Sequence, residues 1–129
     1  ICSEQTENKI FDMINAMAEK KQKKAMELYY DLLALKEPPM RILYLITRQF
    51  NLLMQVKELS EEGYSAKTIS ERLKMAGFIV RNCLRQAEYF SLKTLKEALQ
   101  DCVRMEEAVK TGRMNDVMSV ELLLVKYSS

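Results

Sequence analysis

Glycine and proline almost never interrupt this chain. Its 129 residues contain three glycines and two prolines, and between them apolar residues recur at spacings of three and four rather than two. A backbone with that period buries one stripe per helix, and no segment alternates as a strand would. The expected fold is all-α, a compact bundle of about six to seven helices.

The first helix reads from about Glu7 to Lys20, with Ile10, Ile14 and Met17 on one face and Thr6 or Asn8 as a cap. "KKQKK" then marks a turn, its lysines reading as a solvated helix end. A second helix carries Met26, Tyr29, Leu32 and Leu33 up to Glu37-Pro38-Pro39, where proline disfavours helical geometry in the residue before it. Pro39 also suits the first turn of the next helix, which runs to about Glu62 and stops at Gly63. Stepping round that helix from Ile42, apolar residues from Leu43 to Val56 fill an arc of roughly 200°, so it should be central. Gln49 falls within the arc, and its amide must find a hydrogen-bond partner on a neighbouring helix or in another protein.

From Ser65 to Ala87 the text has the shape of a helix-turn-helix, two short helices separated near Met75-Ala76-Gly77. Ile69, Leu73, Val80 and Leu84 would pack the two helices together, leaving Arg81 and Arg85 to project from the second toward a DNA groove. Ser70 stands where such units usually have Ala, and the turn glycine is displaced from Lys74 to Gly77. Asn82, Gln86 and Glu88 accompany the arginines, a thin footprint for phosphate. A DNA-binding domain of a transcription regulator is the alternative function.

A further helix follows Ser91, with Leu95, Leu99, Cys102 and Val109 inward, and ends at Gly112. Asn115 or Asp116 caps the last one. There Val117, Met118, Val120, Leu122 to Val125 and Tyr127 leave only Ser119, Glu121 and Lys126 polar, so two faces want cover.

Several functions lose their chemistry. With no His, no Gly-rich phosphate loop and no HExxH or GxSxG, nothing sets a base against a nucleophile or cradles a phosphate, and neither cofactor nor metal is expected. Glu61-Glu62 and Glu106-Glu107 are adjacent on helices and point apart rather than cooperating. Cys2, Cys83 and Cys102 are odd in number and lack CxxC spacing, so they read as free thiols of a reducing cytoplasm. A net charge of +2 does not advertise nucleic acid, and no apolar run reaches the length of a membrane span.

Three stretches together carry a resemblance: "RILYLITRQFNLLMQVKEL", "YSAKTISERLKMAGFIVRNCLRQAEYFSLKTLKEAL" and "EEAVKTGRMNDVMSVELLLVKY". In this order they resemble the C-terminal domain of the delta subunit of the bacterial DNA polymerase III clamp loader, from about Asn8 to Tyr127. The most specific pieces are Arg48-Gln49-Phe50, Lys110-Thr111-Gly112 and Glu121-Leu122-Leu123-Leu124. Two positions depart from the family's pattern: Glu106-Glu107, where an Asp and an apolar residue are usual, and Lys74, where Gly is.

The resemblance implies a non-catalytic helical bundle, part of a DNA polymerase holoenzyme, that joins gamma/tau-type and delta-prime-type loader subunits in a ring-shaped collar. Contact with the sliding clamp would belong to N-terminal domains that have no counterpart here, and no direct nucleic-acid contact is implied. Residues 1–7, polar and without an initiator Met, read as a linker remnant, and residues 8–129 as the collar domain. The last helix supplies the candidate contact set Leu122, Leu123, Val125 and Tyr127. Either a neighbouring subunit or the chain's own bundle could cover its second face.

Overall fold

Among residues 4–129, which the computed structural model describes, seven α-helices occur and no strand. They are α1 (Glu4–Ala18), α2 (Gln22–Ala34), α3 (Pro39–Glu61), α4 (Ala66–Leu73), α5 (Gly77–Ala87), α6 (Leu92–Lys110) and α7 (Asp116–Ser128). The first three residues of the expected linker, Cys2 among them, lie outside the described residues. The rest of that linker is helical: α1 starts at Glu4, and Thr6 is buried and donates from its hydroxyl to Glu37 at 3.3 Å. Neither Thr6 nor Asn8 is therefore a cap. A threonine that can reach a carboxylate in the α2–α3 turn extends the helix instead.

The long helix is central, as its apolar arc requires. α3 packs against α1, α4, α5, α6 and α7, and Ile42, Leu43, Leu45, Ile46, Phe50, Leu53 and Val56 are buried along it. Phe50 meets Phe90 edge-on at 5.8 Å between ring centroids and Tyr127 at 6.2 Å, which ties α3 to the α5–α6 turn and to α7. Pro39 opens α3 and Gly63 closes it, both as expected.

Left-handed residues end five of the helices, and three of them are lysines. Lys20, Lys36 and Lys74 have φ of 62°, 66° and 56°, beside Gly63 at 100° and Gly112 at 77°. In each turn the following N–H bonds back five residues, as Lys21 to Ala16 at 2.8 Å and Glu37 to Leu32 at 3.1 Å, satisfying carbonyls that the helix end leaves open. The α4–α5 hairpin is the helix-turn-helix-like unit. Its turn is held without the usual residues: Met75 N–H bonds to the Ser70 carbonyl at 3.1 Å, while the Ser70 hydroxyl donates to the Met75 carbonyl. Ser70 in place of Ala thus adds a second bond across the turn that Lys74 makes.

Side-chain caps start α4, α6 and α7. Ser65 accepts from Thr68 N–H, Ser91 from Thr94 N–H, and Asn115 from the N–H groups of Val117 and Met118 at 2.9 and 3.2 Å. Asn115 is the cap, and Asp116 adds a carboxylate to the first turn, where the helix dipole favours it.

Candidate subunit interface

α7 has two apolar sides with different fates. Val120, Leu123, Leu124 and Tyr127 point inward and are buried, together with Ser119 and Ser128. Met118, Leu122 and Val125, spaced four and three apart, form a continuous line on the opposite side and are 54, 44 and 38% exposed. This divides the expected contact set. Leu122 and Val125 are outside; Leu123 and Tyr127 belong to the core, because a step of 100° from Leu122 carries Leu123 round to the inner face. Met118 takes their place in the outer line.

The inner side of α7 is tied to its neighbours on both flanks. Toward α2, the Tyr29 hydroxyl donates to the Val117 carbonyl at 2.8 Å and the Tyr30 hydroxyl to Glu121 at 3.1 Å. From the α1–α2 turn, Lys20 Nζ reaches the Tyr127 carbonyl at 3.3 Å, a cation on an open carbonyl at a helix C-terminus. Toward α6, Asp101 receives the Tyr127 hydroxyl and Lys126 Nζ, the latter at 2.6 Å, and Lys126 also lies 3.5 Å from Glu97.

Among the described residues, Asp101 is the buried acid. Burial alone raises its pKa, but the hydrogen bonds from Lys126 and Tyr127 and the charges of Lys126 and Arg104 outweigh that and hold the carboxyl below its ordinary value. Burial, reinforced by Asp101, pushes the Tyr127 phenol far above its usual range. Sequence reasoning missed Asp101. Its signal was the same one that singled out Gln49, since it falls beside Cys102 at the edge of the inward arc of α6.

Gln49 does find its partners on a neighbouring helix. Its amide donates to Gln86 Oε1 at 2.9 Å and lies 3.8 Å from Cys83 Sγ. Gln86, placed by the sequence among groove-facing residues, is instead buried and donates to the Phe11 carbonyl at 3.1 Å and Asn15 Oδ1 at 2.8 Å. One side chain therefore joins α1, α3 and α5. Arg81 and Arg85 remain exposed on α5.

The two described cysteines are buried thiols. Burial, against a hydrogen bond with Thr47 and with help from Asp101, pushes Cys102 up to about 11, and burial likewise raises Cys83, so both stay protonated near neutral pH. Among the described residues, no group of three or more His, Cys, Asp or Glu could hold a metal ion, and no helix is long and apolar enough to cross a membrane.

Comparison with known proteins matches residues 7–127, from α1 through most of α7, to the family described as DNA polymerase III delta subunit, C-terminal domain. The chain belongs to that family. It is 34% identical over 120 residues to DNA polymerase III subunit delta of Bacillus subtilis (strain 168), covering 93% of this chain and 35% of that protein. The solved structure of the Bacillus subtilis DNA clamp loader delta protein superposes with a TM-score of 0.91 at 33% identity, over 95% of this chain and 36% of that one. The chain thus spans about a third of the length of these relatives. For a delta C-terminal domain, the matched span agrees to within a residue with the resemblance read from Asn8 to Tyr127. No support arises for a transcription regulator.

Proposed function

We propose that this domain is the assembly segment of a clamp-loader delta subunit, joining gamma/tau-type and delta-prime-type neighbours in a collar in the cytoplasm. It does no chemistry of its own. By anchoring one end of the subunit, it raises the effective concentration of the remaining domains near their neighbours, so that conformational changes there reach the sliding clamp. Contact with the clamp is left to parts of the subunit outside this segment.

The observation that carries the reading is the outer line of α7. Met118, Leu122 and Val125 make an aliphatic row on a helix whose other side is already buried, and burying that row against a partner removes apolar area from water. Glu121 and Lys126 border the row and are held by Tyr30 and Asp101, so the rim is fixed before a partner arrives.

The test is co-purification. The full subunit carrying Leu122→Asp and Val125→Asp should stay folded and fail to retain its loader neighbours, whereas the unaltered subunit retains them. Normal retention by the folded double variant would contradict the α7 assignment. Leu123 is unsuitable for this purpose, because a charge there attacks the core.

A further inference from the structure

We infer that the outward line of α5 is a second assembly face, occupied by a protein neighbour that presents carboxylates around an apolar patch. The inference rests on the assembly reading above, since a subunit flanked on two sides in a closed ring needs two different contact surfaces. α5 supplies one on a different helix from α7. It packs mainly on α3 and α4 and reaches α1 through Gln86, whereas α7 packs on α1, α2, α3 and α6.

The composition of the line sets the partner's chemistry. Phe78, Asn82 and Arg85 follow one another at spacings of four and three, and Tyr89 continues the line in the turn after the helix. Phe78 is 60% and Tyr89 57% exposed, large values for rings in a bundle that buries Phe50 and Phe90. Arg81 and Arg85 lie alongside, and neither has an acid partner among the described residues, where the arginines in ion pairs are Arg41, Arg48 and Arg104. Exposed aromatics interleaved with unpaired arginines are the side chains that dominate protein interfaces energetically. Beside them a cleft of about 200 Å³ opens between α1 and α5, walled by Phe11 and Asn15 opposite Asn82 and Tyr89, with space for one inserted side chain.

The same side chains are poor for nucleic acid. Two cations would neutralise roughly two phosphates, far fewer than the six to ten contacts of a protein that binds duplex tightly. A carboxylate-bearing protein surface with an apolar anchor satisfies both arginines and both rings.

The experiment uses the full-length subunit and each neighbouring loader subunit singly. Phe78→Ser with Arg85→Glu should weaken binding to one neighbour at least tenfold and leave the other unchanged, while Leu122→Asp with Val125→Asp does the reverse. Arg81→Glu with Arg85→Glu, which removes no apolar contact, serves if the first variant melts early. If the α5 variants bind both neighbours normally, or lose only a fluorescent single-stranded oligonucleotide, the inference is overturned. Should the α7 variant bind both neighbours while the α5 variants lose one, the α5 face stands and the α7 assignment falls.

Discussion

α3 and α7 look alike in sequence and end differently in the fold. Both carry apolar residues over far more than one stripe, but α3 is covered by five helices over most of its apolar arc, with Leu52 and Met54 half-buried, whereas α7 is covered on one side and bare on the other. The width of an apolar arc therefore states how much cover a helix needs, not where the cover comes from. α3 is crossed by every later helix and by α1, so the chain itself supplies it. α7 meets α1, α2, α3 and α6 with its inner side alone.

The comparison can be broken by substitution, beginning where the effect should be largest. Phe50→Ala removes a fully buried ring that bridges α3, α7 and the α5–α6 turn, and should destabilise the domain by about 3 to 5 kcal/mol in chemical denaturation. A loss near that expected at an exposed site would mean that α3 is not the hub.

The next effect concerns the inner side of α7. Tyr127→Phe removes the phenol that donates to Asp101 and should cost about 1.5 to 3 kcal/mol, the range for hydrogen bonds to a charged group. Because the folded domain holds the Asp101 pKa below its unfolded value, this carboxylate's stabilisation is present above the unfolded pKa. It is lost as pH falls through the folded pKa, so acid below about pH 4 should weaken the attachment of α7. Asp101→Asn should flatten that acid limb in pH-dependent melts; an unchanged limb would show that other carboxylates set it.

The smallest expected effect is a gain. Lys74 and Lys36 occupy left-handed turns where a side chain is strained, so each replaced by glycine should stabilise the domain by about 1 kcal/mol. A measured loss at Lys74 would mean that the Ser70–Met75 clasp depends on its side chain.

Much of this was legible before the structure. Helical period, the Pro39 start, the glycine stops at 63 and 112 and the caps at Ser91 and Asn115 are local signals, each enforced by backbone sterics or an open N–H group. Gln49 could be predicted to have a partner because a polar group inside an apolar arc must have one. Its identity could not be read, since Gln86 follows Arg85, which faces water, in a stretch rich in polar residues. The lysine turns were hidden for a related reason: a lysine in the left-handed region leaves no compositional mark, while glycine does. Of the candidate contact residues, Leu122 and Leu123 were indistinguishable by type, and only the packing of α1, α2, α3 and α6 against α7 separates them.

That adjacent pair offers the most direct test of the claim that α7 divides its labour between core and assembly. Leu122→Ala and Leu123→Ala should be compared for denaturation midpoint and for affinity toward the neighbouring loader subunits. The account predicts that Leu123→Ala loses about 2 to 5 kcal/mol of stability while Leu122→Ala stays within about 0.5 kcal/mol and binds its neighbour more weakly. Equal stability losses at the two positions, or undiminished binding by Leu122→Ala, would contradict it.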